Sequence, residues 1–545
     1  MKKLSISFLG ILIIIALLIG CSSKATTSTT TSPPLITSSS PSSSLPASII
    51  NSPIVTAISS GTPTPTTGPK KGGTFTIIDP RPPTGNIGWF HEASFTGGLY
   101  VAPMADSLLD VDLNGKIMPK LAIGWEVAPD KSSITLKLRK GVKFHDGTDF
   151  NAAACKWNLE QMIINKRSAA ATWASIDIID EYTVRINLKQ WLNKLFNDLG
   201  STYMVSPTAY ETKGGAEYLR WNPVSIGPFK FQKYVTDTSI TYTKFADYWD
   251  AGKPYLDSIV MQFIIDPMTK YAAFLSGAAD ATGGDLGKVE YDLQQQGFEV
   301  VKCTSGVIYV MGDSKNAKSP FRDIRVREAL DYAIDRDAIV KAKGYGFQQP
   351  VYQYGIPGTP SYINDLPIRK YNPAKAKELL EAAGYPSGFK TKLIANSAVV
   401  DRDAAVLVQS YLAAVGINTE LLYVDQSTWT NYRVNGWEGI LYAATGVFTN
   451  VNQGIIFYWN PANPYFPSAI IPDELTELYK KSSSSVEYDP ELVKPMIRCI
   501  FDNAMYVPLY TVSRGHVLKP YVRDTGLYTM QTWPGWLPAN AWLDK

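Results

Sequence analysis

Histidine and cysteine are scarce in this chain of 545 residues, three of the first and four of the second. No Cys-x-x-Cys pair occurs, which excludes zinc ribbons and thioredoxin-type motifs. His91 is followed by Glu92 but by no second histidine four residues on, so it makes no zincin helix, and His516 stands alone. The chain has no Gly-x-Ser-x-Gly elbow, no P-loop and no Gly-x-Gly-x-x-Gly turn, and so lacks the usual signatures of serine hydrolases, nucleotide hydrolases and dinucleotide enzymes. An excess of one charge is also missing. Lys and Arg total 52 against 49 Asp and Glu, and the net +3 is spread along the chain without a basic stripe. Nucleic acid is therefore not an expected partner.

What is present begins at the N-terminus. Lys2 and Lys3 precede an apolar run from Ile6 to Ile19, short for a membrane span, which needs roughly 20 apolar residues. Leu18-Ile19-Gly20-Cys21 follows and resembles the lipobox of bacterial lipoproteins. The resemblance implies a signal peptide over 1–20, cleavage before Cys21 and lipidation of its sulfur. An uncleaved signal anchor is the alternative, and either places the rest of the chain outside the cytoplasmic membrane. Residues 21–69 then form a Ser/Thr/Pro tract with almost no charge, which cannot bury enough apolar surface to order itself and reads as a tether. Its 48 residues from Ser22 average about 40 Å end to end as a flexible coil.

The body from Lys70 is too long for one core, so two or three domains are expected. Cys155, Cys303 and Cys499 are an odd number; three free thiols are the default and at most one disulfide could form. Gly72–Ile77 reads as a strand, followed by a Pro/Gly-rich loop that ends at Trp89 and Phe90. Ile134, Leu136 and Leu138 alternate with polar residues, the period of a half-buried strand. Asp146-Gly147 signals a turn, Asn151 an N-cap, and Cys155, Leu159 and Met162 share one helical face. Val326, Leu330, Ala333 and Ile334 form another apolar stripe. In a further helix, Asn372 is the N-cap, Pro373 the first residue and Gly384 the stop; Ala376, Leu379, Leu380 and Ala383 are its buried stripe. Strand-like runs "KTKLIAN", "INTELLYV" and "GILYAATGV" alternate with helices, so the fold class is mixed α/β.

Five segments, in order, resemble the family 5 extracellular solute-binding proteins, the peptide-, dipeptide- and nickel-binding components of ABC importers. They are 118–160 with Trp125-Glu126 and Phe144-His145-Asp146-Gly147; 225–280 with Gly227-Pro228, Tyr248-Trp249 and Lys253-Pro254-Tyr255-Leu256-Asp257; 319–340; 371–389; and 502–522. The resemblance implies a two-lobed periplasmic-binding-protein-like fold, type II, cluster C, whose larger N-terminal lobe has two subdomains. Mapped on this chain, lobe I is about 70–312, with its second subdomain about 103–221; lobe II is about 313–507, and 508–545 returns to lobe I. His145 and Asp146 then form a scaffold turn, which agrees with the divergence of neighbouring side chains.

Peptide-binding members of the family hold the peptide's ammonium with an aspartate in a lobe II "GW-x-x-D" stretch. Here the corresponding alignment puts Ala444 at the Trp position and Val447 at the Asp position, and no acid occurs from Gly439 to Pro472. A buried ammonium with no carboxylate costs several kcal/mol. Aromatics remain as the candidate lining: Trp89 and Phe90 in the first loop, with Tyr442, Phe448 and Asn450 in lobe II. No catalytic residue, metal ligand or cofactor is assigned. The expected function is a lipid-anchored binding protein on the outer face of the cytoplasmic membrane. It would be a monomer that passes a small, oligopeptide-like solute to permease subunits, with membrane lipid attached through Cys21. A ligand-sensing receptor lipoprotein is the alternative, and a secreted hydrolase a weaker one.

Overall fold

The computed structural model describes residues 68–92, 98–113, 115–448, 450–460, 465–529 and 535–545. The leader, Cys21 and nearly all of the tract lie outside them. Thr66–Lys545 forms one compact unit.

Local signals act where the sequence places them. The Asn151 side chain accepts from Ala154 N at 3.0 Å and starts the helix Ala152–Ile164, whose Cys155, Leu159 and Met162 are buried. Asn372 accepts from Lys375 N at 3.0 Å, Pro373 opens the helix Pro373–Ala382, and Gly384 follows it at φ +92°. The stripe Val326, Leu330, Ala333 and Ile334 is buried along the helix Ile324–Ala333 and its C-cap; a separate helix, Arg336–Lys343, follows, capped by the Asp335 side chain, which accepts from Ala338 N. Among the described residues all three thiols are free, with Cys155 and Cys499 buried and Cys303 half-buried.

A ten-stranded sheet runs through the body. Its order is Ile417–Val424, Phe389–Asn396, Ile440–Gly446, Glu299–Gly312, Val507–Leu518, Ala281–Asp285, Thr74–Asp79, Ser258–Phe263, Ser239–Lys244, Phe229–Val235. Among the described residues, the two longest strands are the only ones shared by both ends. Glu299–Gly312 pairs with Ile440–Gly446 from Gly306 onward, and Val507–Leu518 pairs with Ala281–Asp285 from Arg514 onward. Between these points the sheet is two strands wide, and its register shifts between Thr304 and Gly306. A β-bulge at such a waist bends the strand and weakens the ladder locally.

Separate cores sit on either side of the waist. At one end Ile308, Val310, Leu393, Ile440 and Tyr442 face one layer of helices, while Tyr309, Met311, Ile394, Leu441 and Ala443 face the other. This alternation along each strand is what a sheet covered on both faces requires. At the other end one core packs around Phe75, Ile259 and Tyr242. A second core fills a four-stranded sheet, in the order Ala122–Val127, Ser133–Leu138, Thr183–Leu188, Trp173–Asp180, covered by the helix Ala152–Ile164. The molecule is thus a two-lobed α/β protein whose N-terminal lobe has two large cores and a small one around Phe274, Leu293 and Val517.

Candidate functional site

In lobe I the strands Thr74–Asp79, Ser258–Phe263 and Ala281–Asp285 are hydrogen-bonded parallel neighbours. Ligands of open α/β sheets bind outside the carboxyl ends of such strands. A cavity of about 380 Å³ opens there, lined by Asp79, Pro80, Arg81, Pro82, Pro83, Thr84, Gly98, Leu99, Tyr100 and Met261. Asp79 accepts from Arg81 twice, at its backbone N (2.9 Å) and at Nη2 (3.2 Å). Asp285, at the end of the neighbouring strand, accepts from Arg514 Nε at 2.7 Å. The Asp285 side chain is 66% exposed, yet surrounding protein raises its carboxyl above the usual range, with Arg81 opposing and Asp79 assisting. Behind it, Lys270 Nζ and Glu290 Oε1 form a buried pair at 2.8 Å, and His516 Nδ1 lies 2.7 Å from Tyr528 Oη.

Lobe II presents a different wall. Val307, Tyr354, Thr359, Ser361, Thr445, Gly446, Val447, Phe448 and Tyr506 line a slot of about 20 Å³, room for little more than one water molecule. None of these residues is charged. Gly446 N donates to Tyr458 Oη at 2.6 Å, and a Cβ on Gly454 would meet Tyr354 Oη at 2.6 Å and Phe448 Cδ2 at 3.1 Å, so glycine there lets the rings close together. Cys303 is close enough to the Arg81 guanidinium to feel its charge, and Val307 lines the lobe II slot. Three residues of strand lie between them, a rise of about 13 Å over four steps, so the two cavities flank the same waist.

The residues selected by sequence fall in different places. Phe448 lines the lobe II slot. Asn450 caps the helix Val451–Tyr458 and its Nδ2 lies 3.3 Å from Asn197 Oδ1 of lobe I. Tyr442 points to the opposite face of its strand, fully buried, with its hydroxyl 3.4 Å from that of Tyr510. Trp89 and Phe90 are 97% buried; Trp89 stacks on Tyr210 at 5.2 Å and meets His91 edge-on at 4.7 Å. Residues 79–84 of that loop line the cavity, and its later part packs into the core. Sequence reasoning passed over Arg81, Asp285, Tyr354 and Tyr506. Charged residues set among prolines directly after a strand, in "DPRPP", were the available signal for Arg81.

His145 Nε2 lies 3.0 Å from Gly227 O and 3.1 Å from Gly227 N, while Asp146 accepts from Ser206 Oγ and from Thr148. The two side chains thus serve different partners, and Gly147 takes φ +87° at the turn. Burial pushes the His145 pKa down to about 4. Among the described residues no group of three or more His, Cys, Asp or Glu could hold a metal ion, and no helix is long and apolar enough to cross a membrane.

Residues 116–465 match the family profile of bacterial extracellular solute-binding proteins, family 5. The glutathione-binding protein GsiB of Escherichia coli K12 is 32% identical over 363 residues, covering 65% of this chain and 68% of that protein. NikA from Brucella suis, solved with Fe(III)-EDTA, superposes with a TM-score of 0.75 at 23% identity, covering 84% of this chain and 98% of NikA. DppA from Helicobacter pylori, solved with the peptide STSA, gives 0.71 at 23% identity, covering 87% and 99%. The profile match over most of the body and the shared two-lobed fold lead to one conclusion: the chain belongs to the family 5 bacterial extracellular solute-binding proteins.

Proposed function

We propose that this protein captures a short peptide-like solute with free charged ends and hands it to an ABC permease. One observation carries the reading: carboxylate–guanidinium pairs, Asp79–Arg81 and Asp285–Arg514, stand at the carboxyl ends of the lobe I strands beside a 380 Å³ cavity, while the lobe II slot is uncharged. Such pairs offer both signs of charge to a zwitterion. The glutathione-binding relative supports the same ligand class. The closing bodies are lobe I and lobe II; the divisions expected near 312 and 508 fall where Ile308, Val310 and Tyr510 pack in the lobe II core, so the waist favours divisions near 305 and 513. The two-strand waist at Thr304–Gly306 supports a hinge there. The chain is held by lipid on Cys21 at the outer face of the cytoplasmic membrane, where the permease is its partner.

A thermal-shift screen tests the ligand class, since a solute at 100 times its dissociation constant adds about 2.7 kcal/mol. Glutathione and free dipeptides should raise the melt; N-acetylated or C-amidated versions should raise it less. Shifts with oligosaccharides or a nickel chelate alone would discard the reading. Val447 lines the slot, so Val447→Asp should improve binding of peptides with a free amine. Fractionating cells that express Cys21→Ala tests the anchor: processing and membrane retention like the parent's would refute lipidation.

A further inference from the structure

Outside the waist, the lobes also meet at a seam of polar groups. The helix Asp473–Ser483 belongs to lobe II, where Leu475 is buried. The last carbonyls of a helix have no partner within it and need donors from elsewhere. Here the donors come from lobe I. Asn193 N donates to Ser483 O at 2.9 Å and Asn193 Nδ2 to Ser482 O at 3.0 Å. Lys131 Nζ donates to Ser484 O at 2.7 Å, and Trp191 Nε1 to Ser485 O at 2.8 Å. Asn452 of lobe II reaches back, its Nδ2 3.3 Å from Asn193 Oδ1. Asn193 is 1% exposed, Ser482 0% and Asn452 1%. Trp191 is part of the subdomain core of lobe I, so both sides of the seam are anchored in packed cores.

We propose that Asn193 is the keystone of a latch in which lobe I caps the C-terminal end of a lobe II helix and biases the ligand-free protein toward closure. Asn193 lines neither the lobe I cavity nor the lobe II slot, but it does line a third cavity of about 190 Å³ whose wall includes Asn197 of lobe I and Glu487 of lobe II. Trp191 and Lys131 line none of these three, so they act on binding through the lobes and not through a solute in them. A rotation about the waist cannot open the lobes without parting these bonds, because neither core bends easily. The closed population then sets the apparent affinity for whatever solute the cleft takes. This inference rests on the two-lobed fold and is independent of the ligand class.

Small-angle scattering of the full body without added solute tests it. The proteins are the parent, Asn193→Ala, and the double variant Trp191→Phe/Lys131→Gly. The double variant removes two donors but keeps the aromatic packing, and glycine suits Lys131, which has φ 59°. Each bond lost should raise the open-to-closed ratio about fivefold, so both variants should scatter as more extended particles while their circular dichroism stays that of the parent. If Asn193→Ala fails to fold, the double variant decides. A folded double variant with the scattering profile of the parent would overturn the latch.

Discussion

The two lobes place their charges differently. In lobe I, Asp79 and Arg81 line the cavity, and the Asp285–Arg514 pair stands at the end of the strand Ala281–Asp285, which pairs with Thr74–Asp79. In lobe II the slot has no charge, and Asp331, Arg336 and Arg369 lie inside the fold, at most 7% exposed. Arg336 pairs with Asp331, donates Nε to Pro508 O at 2.7 Å, and Arg369 lies over the Phe501 ring at 4.0 Å. The charge beside the lobe I cavity is the part that the proposed function assigns to a solute, whereas the buried charge of lobe II ties helices to the strand that re-enters lobe I, just as the buried Lys270–Glu290 pair braces lobe I itself.

The largest effect should come from breaking the architectural side. Asp331→Ala leaves the Arg336 guanidinium, and in part that of Arg369, without their buried carboxylate, a loss of about 3–5 kcal/mol. Denaturant unfolding followed by hydrogen exchange in lobe II measures it. A loss under about 1 kcal/mol would mean that the network is not the support of that lobe.

Acid should separate the lobes next. All three histidines pack with lobe I: His145 and His516 are pushed down to about 4 and His91 to about 3, each chiefly by burial. Each is neutral in the fold and gains a proton on unfolding, so nothing is lost above the unfolded value near 6.5. Stability falls as pH drops from there toward 4, by about 3 kcal/mol for His145. Burial raises the carboxyls of Asp331 in lobe II and of Asp285 in lobe I, which work in the opposite direction on acidification in both lobes, whereas the histidines burden lobe I alone. Lobe I should therefore unfold first in acid. In His145→Gln the loss between pH 6.5 and 4 should be smaller than in the parent by that amount; parallel curves would show that His145 does not titrate with unfolding.

On the recognition side, Arg81→Gln should weaken binding of glutathione or free dipeptides by about 1.5–3 kcal/mol, on the order of 10–100-fold, the value of a hydrogen bond to a charged group. C-amidated ligands should lose much less. Calorimetric titration of both pairs separates the effect. An equal loss for free and amidated ligands would place the carboxylate elsewhere.

The contrast between the lobes was only half legible in the sequence. Helix caps at Asn151 and Asn372 and the buried stripe Val326, Leu330, Ala333 could be read because each depends on neighbours within a few residues. The uncharged lobe II wall was also legible, as a stretch without acids from Gly439 to Pro472. Which aromatics line it was not. Tyr442 and Phe448 are six residues apart and would share a face if the strand continued, but it ends at Gly446; Tyr442 stays on the face away from the slot while Phe448, past the strand end, reaches it. The latch had no signal at all: Ser482–Ser485 contribute mainly backbone carbonyls, which every residue has.

The smallest effect should come from the aromatic wall. Phe448 packs against Tyr458 at 5.9 Å and Phe457 at 6.0 Å and lines a slot too small for a ring. It therefore shapes the slot more than it stacks on a solute. Phe448→Leu keeps an apolar surface and loses edge-to-face contacts, about 0.5–1.5 kcal/mol. That cost should appear mainly in the melting temperature of lobe II, with glutathione affinity lowered less than threefold. A drop of tenfold or more with an unchanged melt would show instead that Phe448 contacts the solute. The comparison would then need redrawing, with lobe II contributing recognition as well as shape.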